Sequence, residues 1–385
     1  MHRHPVYILL AVLLTAVMLT SCTAAGVSSA TGTPASSAVP PASSEPAPSS
    51  QSASSVRPAS SQAAPVLHLT HKEAQLSHQN LVGSWARVDE NGKIAPSIYT
   101  KNGPNPELVQ KLEGMDALGF IKTRDAWYIL QTDRTIRVFY DKTTVYEQEG
   151  MDRSEIEKAY AELDQKMQQM HFADMRYSDW EFANGLLFLT TDGDVYAVDG
   201  FPCSLYKVAD GAAMITSCGI LFQDGRVAHV TSANKQADGL TFLDGVQWPD
   251  VVDFAILGDL HAIGLRPDGS IVCFTPDKSN DMVRFQNTDI RAKAICSEEF
   301  IVRSADDRLV NLLSFSDSDI VQPEDSPACS PDAAAVLYAP GAGYCELHPD
   351  GSLLPIETNP QVSTSADWQP MWGDALPVHT KIPTL

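Results

Sequence analysis

The chain has 385 residues, 44% of them apolar and 19% charged, and its formal net charge is −21 at pH 7. A surface this acidic is repelled by phosphate backbones and anionic lipid headgroups, which argues against nucleic acid as a partner and against a basic patch as a membrane anchor. The seven cysteines show no CxxC and no Cys/His grouping at zinc spacing, and a chain this long does not need disulfides to fold, so no pairing is preferred.

The first element is a secretory signal. Arg3 gives a positive start, Val6 to Leu19 is almost wholly apolar, and small residues follow. That run is too short to span a bilayer comfortably, which takes about 20 apolar residues. Leu19-Thr20-Ser21-Cys22 resembles the lipobox of bacterial lipoproteins. The resemblance implies that residues 1–21 are removed and that Cys22 carries acyl chains such as palmitate. Two or three such chains, at roughly 0.8 kcal/mol per buried methylene, hold a protein stably on a membrane. The expected location is therefore the extracytoplasmic face of a cell membrane. Residues 23–66 are Ser, Ala, Pro, Thr, Gly, Gln and Val with only Glu45 and Arg57 charged. Such a segment has too little large apolar surface to offset chain entropy, so 22–66 is expected to be a disordered tether. As a coil it would reach about 40 Å.

From residue 67 to 360 one phrase recurs: an apolar stretch, an acidic turn, a second apolar stretch. Its anchors are Asn91, Asp133, Asp192, Asp224, Asp268, Asp306 and Asp350. Gly follows five of them. Three positions after the anchor stands an aliphatic every time: Ile94, Ile136, Val195, Val227, Ile271, Leu309 and Leu353. Three positions before stand Val88, Leu130, Leu189, Leu221, Leu265 and Leu347, with Arg303 the exception. Asp-Gly and Asn-Gly favour tight primed hairpin turns in which both residues adopt positive φ. The matched aliphatics then fall on one face of a two-stranded ribbon.

Anchor spacings are 42, 59, 32, 44, 38 and 44, most of them the length of one four-stranded propeller blade. The 59 contains an insertion, residues 151–170, that reads as a helix with a capping box at Ser154 and Glu157. Its apolar stripe is Ile156, Tyr160, Leu163, Met167 and Met170, expected to pack down on the propeller. The 32 is short, which predicts either clipped strands or a phase error there.

Residues 251–274, VVDFAILGDLHAIGLRPDGSIVCF, resemble a repeat of the regulator of chromosome condensation family through Gly258, His261, Leu265, Asp268 and Gly269. The other copies keep only the second half, and the family's Gly-Gln-Leu-Gly ending is missing. The resemblance implies an all-β, seven-bladed β-propeller over roughly 80–360. It does not imply nucleotide exchange or chromatin binding, because no residues match those activities. Ring closure is expected from N-terminal strand material completing the last blade, or the reverse. The tail 361–385, with Pro370, Pro377 and Pro383, is expected to run as an irregular strap pinned by Trp368 and Trp372.

Catalytic constellations are scarce. There is no GxSxG, no Walker loop and no GxGxxG. His68 and His71 form an HxxH without a downstream acid, and Asp317-Ser318-Asp319 lacks the Gly and the distant Glu of a calcium loop. His229 and His261 read as structural, and Trp85, Trp127, Trp180 and Trp248 as core. No cofactor, metal or catalytic residue is assigned. The expected function is a lipid-anchored binding scaffold for an extracellular protein, peptide or glycan. The alternative is an exported hydrolase or lyase acting on an extracellular polymer, to be recognised by carboxylates converging on the propeller axis.

Overall fold

Short strands with Val, Ile, Leu and aromatic residues at consecutive positions bury both faces only when a sheet is covered on each side. That is the state of nearly every second strand here. In the computed structural model the described residues are 78–83, 86–96, 110–123, 125–141, 152–178, 185–199, 203–230, 239–257, 260–276, 284–297, 299–314, 323–339, 343–356 and 378–379. A 3₁₀ turn (His78–Leu81) and a hairpin of β1 (Ala86–Val88) and β2 (Ile94–Pro96) come first. Sheet I holds β3 (Gly119–Lys122), β4 (Ala126–Leu130) and β5 (Ile136–Tyr140). Helix α1 (Arg153–Met167) follows. Sheet II holds β6 (Phe172–Ser178), β7 (Gly185–Thr190), β8 (Val195–Asp199) and β9 (Ser204–Ala209). Sheet III holds β10 (Ala212–Ile215), β11 (Gly219–Phe222), β12 (Val227–Val230) and β13 (Leu240–Phe242).

Sheet IV holds β14 (Asp253–Ile256), β15 (Ala262–Leu265) and β16 (Ile271–Phe274). Next in the chain is β17 (Arg284–Phe285). Sheet V holds β18 (Ala292–Ser297), β19 (Ile301–Ser304) and β20 (Leu309–Asn311). Its continuation β21 (Leu313–Ser314) pairs with β17, so the outermost strand here precedes the sheet in sequence. Sheet VI holds β22 (Ala335–Ala339), β23 (Gly343–Leu347), β24 (Ser352–Pro355) and β25 (Val378–His379). Every pairing is between sequence neighbours and antiparallel, apart from β17 with β21, also antiparallel.

Six apolar clusters join these units in cyclic order. One is shared by I, α1 and II, and the next by II and III. Others link III with IV, IV with V, and V with VI. The sixth closes the circle, gathering Val88 and Ile94 of the hairpin, Trp127 and Ile129 of sheet I, and Leu337, Cys345, Leu347 and Leu353 of sheet VI. Alternation splits each strand between two clusters: Tyr128 and Leu130 face sheet II, whereas Trp127 and Ile129 face the closure. The first strands neighbour one another around the inside of the ring, β3 with β6, β6 with β10, β14 with β18 and β18 with β22, and the 3₁₀ turn touches both β22 and β3. The fold is an all-β propeller. Its described sheets of three or four strands number six, and the two-stranded hairpin packs between sheets VI and I.

The closure differs from the expected strand exchange. Sheet VI takes its outer strand from β25, with Leu353 opposite Val378, and the N-terminal hairpin packs as its own unit. Packing suffices here because the hairpin inserts two fully or nearly buried aliphatics between its neighbours. Residues 378 and 379 of the predicted irregular strap are thus strand. The short interval of 32 is neither clipping nor a phase error. Sheets II and III both have four strands, and only Asp210 and Gly211, the latter at φ 68°, separate β9 from β10.

Helix α1 takes the flank where sheet I has three strands. Its cap is Asp152, whose carboxylate accepts the Ser154 N–H; the Ser154–Glu157 box is not used because the helix already begins at Arg153. Ile156, Tyr160, Leu163 and Met167 pack on Tyr128, Phe172 and Phe188. Asp164 accepts the Val138 N–H at 2.7 Å and pairs with Arg137 at 3.1 Å, so the helix satisfies part of the exposed edge of β5.

Candidate functional site

Six of the seven anchors lie in the turns between second and third strands, and Asn91 lies in the turn of the β1–β2 hairpin. The flanking positions are direct cross-strand partners in every copy: Val88 with Ile94, Leu130 with Ile136, Leu189 with Val195, Leu221 with Val227, Leu265 with Ile271, Arg303 with Leu309 and Leu347 with Leu353. The turn type corrects the sequence reading. Only the residue after the anchor has positive φ, from 60° at Asp307 to 88° at Gly225, and no anchor does. Each turn is a three-residue loop in which the residue two before the anchor bonds to the residues one and two after it. That geometry asks for one left-handed residue where a primed turn asks for two. The anchor carboxylates of Asp133, Asp224, Asp268 and Asp350 instead accept the N–H two residues on. At Asp268 hydrogen bonds from Ser270, with Arg291 alongside, hold the carboxyl well below the usual range.

These turns are used internally. The carbonyl of the left-handed residue accepts an N–H from the start of the next unit in six cases: Gly92 from Ala117, Arg134 from Phe172, Gly193 from Ala212, Gly225 from Trp248, Gly269 from Ala292 and Asp307 from Cys329, at 2.6–2.9 Å. Glycine serves this strut twice over at Gly225. Its φ is 88°, and a Cβ there would lie 2.6 Å from the Pro249 nitrogen.

Inside the ring, the first strands bring together Asp174 and Arg176 of β6 with Asp253 of β14. Asp174 is buried and pairs with Arg176 at 2.7 Å. Burial raises Asp253 to about 6, against the pull of Arg176 and of the Phe254 and Ile295 N–H groups; Asp174 adds to the rise. Asn80 reaches across from the 3₁₀ turn to the Met175 carbonyl at 2.8 Å. Such a group can hold or release one proton near pH 6. The sequence reading singled out none of these residues. Their one signal was a lone acid in an otherwise apolar first strand, as in FADM and VVDFAI.

Opposite the turns, the connections from first to second strands carry Tyr338 on β22, 47% exposed, edge-on to Tyr344 at 5.5 Å. Burial pushes the Tyr344 phenol up, although Ser297 hydrogen-bonds to it. Exposed Glu299 is close by. His229 and His261 are buried, His261 edge-on to Phe285, and Trp127 and Trp248 are core. Cys22, His68, His71, Trp85, Trp180, Gly258, Asp317, Ser318, Asp319, Trp368 and Trp372 lie outside the described residues. Among the described residues no group of three or more His, Cys, Asp or Glu could hold a metal, and no helix is long and apolar enough to cross a membrane.

No family model and no curated protein matches the chain. Among solved structures, yeast RCC1 (Prp20) bound to Kap60 is 12% identical, with 78% of this chain and 85% of that one covered and a TM-score of 0.39. YCF48 from Cyanidioschyzon merolae is 10% identical over 64% and 85%, with a TM-score of 0.34. YCF48 bound to D1 peptide is 8% identical over 60% and 75%, with a TM-score of 0.32. At such scores the architecture rests on the ring of sheets itself.

Proposed function

We propose that this chain is an extracytoplasmic lipoprotein, anchored through Cys22, whose propeller is a binding scaffold for an extracellular protein or peptide. We count the β1–β2 hairpin as a reduced seventh blade. One observation carries the reading: the two ends of the ring are unequal. At the turn end, six carbonyl struts tie each unit to the next and leave the backbone committed. The opposite end presents Tyr338, a large exposed amphipathic ring, which is the residue type that anchors protein interfaces. Connections carry function in such folds because the repeat does not constrain them.

The test places a photo-cross-linking residue at position 338 or at exposed Asp210, on the turn end, in the membrane-anchored chain. Adducts with one discrete partner from position 338 alone are expected. Equal adducts from both positions, or none from either, would sink the scaffold reading. For the anchor, labelled palmitate should enter the wild-type chain and fail to enter Cys22→Ala.

The second reading, an exported hydrolase or lyase, draws on Asp174, Arg176 and Asp253, where burial raises one carboxyl to about 6 beside a second that pairs with Arg176. It predicts turnover of an extracellular polysaccharide or peptide polymer that Asp253→Asn abolishes without loss of fold.

A further inference from the structure

We infer that Cys296 and Cys329 form a disulfide that ties sheet V to sheet VI in the exported protein. Both are free thiols in the structure; the pairing is inferred from their place in one cluster, and its occurrence in cells rests on the export reading above. Cys296 sits on the first strand of sheet V and Cys329 on the connection that leads into sheet VI; their exposures are 4% and 6%. Both belong to the small apolar cluster between these sheets, with Leu309, Val336 and Ile356. Arg303 fixes their approach. Its own backbone N–H points to the Cys296 sulfur, and each thiol feels the other or the guanidinium. Its side chain draws the 329–333 segment inward through the Ser330 carbonyl at 2.9 Å and the Ala333 carbonyl at 2.7 Å. The Cys329 N–H is itself a strut, donating to the Asp307 carbonyl at 2.6 Å. Among the described residues the other cysteines lie in other clusters or strands.

Burial pushes the Cys296 thiol up to about 12 and Cys329 to about 11, so thiolate is scarce once the joint has closed. The bond therefore forms while the chain folds. Two thiols give up two electrons and two protons to a disulfide oxidant, such as glutathione disulfide or an oxidoreductase disulfide, which leaves as two thiols.

The experiment refolds the full chain, reduced and in detergent, with reduced and oxidised glutathione, then maps peptides without reductant. A Cys296–Cys329 link as the main product is expected. A different main pairing, or both thiols open to alkylation after unfolding, overturns the inference. Reductant should lower the wild-type Tm by roughly 5 °C and leave the Cys296→Ala/Cys329→Ala chain unchanged; equal responses overturn it as well. Chain taken from cells with its thiols trapped at harvest separates the two readings. A link present after refolding yet absent from cells refutes export and leaves the pairing standing.

Discussion

The joint between sheets I and II and the joint between sheets V and VI share one backbone strut and little else. The first buries fifteen apolar residues, four of them supplied by α1. The second buries five and adds charge: Arg303 against Asp307, Lys293 on Asp307, and Glu346 accepting the Ser330 N–H while pairing with His348 at 3.0 Å. Apolar area is insensitive to pH and direction, so the first joint holds by amount. The second holds by geometry, where each buried charge needs its partner in place. With Cys296 and Cys329 reduced, the ring is therefore expected to open first at V/VI, and hydrogen exchange at Cys329 should outpace exchange at Phe172, the equivalent strut donor at I/II.

The largest effect should come from Arg303→Ala. It removes the buried guanidinium from part-buried Asp307, which keeps only Lys293, and leaves the Ser330 and Ala333 carbonyls without that donor, a loss of about 3–5 kcal/mol in urea unfolding of the 67–385 fragment. The comparison sharpens with Arg303→Leu/Asp307→Gly, which restores the aliphatic and the glycine that most other copies carry. Removing both charges together should recover at least half of the loss, because a whole ion pair exchanged for apolar residues is often close to neutral. No recovery would mean that the carbonyl contacts dominate. Leu163→Ala at the apolar joint comes next, about 3 kcal/mol through a cavity at a site 1% exposed, with no dependence on salt.

The two joints also mark what the chain discloses when read linearly. The hairpins were legible because the pairs on either side of each turn are local, three residues each way from one anchor. The exceptions were legible only as exceptions. Arg303 breaks the aliphatic column, and Arg134 and Asp307 stand where glycine is usual. Each turns out to reach across: Arg134 to the Ala173 carbonyl at 3.2 Å, Asp307 to Lys293 and Arg303. Nothing in the local sequence names the Ala173 carbonyl or Lys293, because they depend on which strand or sheet lies alongside. The axial trio of Asp174, Arg176 and Asp253 was illegible for the same reason, since it assembles from strands some 80 residues apart. Closure through Val88 and Leu347 likewise exists only in the ring.

At the turns, Gly225→Ala should cost about 2 kcal/mol, combining a left-handed backbone with a Cβ driven against Pro249. Arg134→Gly, at φ 69°, relieves backbone strain and loses one side-chain hydrogen bond, so its net effect should stay within about 0.5 kcal/mol. Equal penalties at both positions would show that the strut, rather than the residue carrying it, sets the cost.

A small effect is the most diagnostic of the difference between the joints. Hydrogen bonding from Lys293, and then the Arg303 side chain, holds the Asp307 carboxyl below its ordinary value. A depressed carboxyl contributes stability that is present above the unfolded-state pKa, near 4, and is lost as pH falls through the folded value. Asp307→Asn keeps the acceptor oxygen and removes the charge, so its penalty at pH 7 should be only about 1 kcal/mol. That penalty should shrink as pH drops below 4, where wild type and variant converge, while the Leu163→Ala penalty at the apolar joint stays constant over the same range. A penalty for Asp307→Asn that persists unchanged at pH 3 would mean that the carboxylate acts there by shape, and the electrostatic account of the V/VI joint would fall.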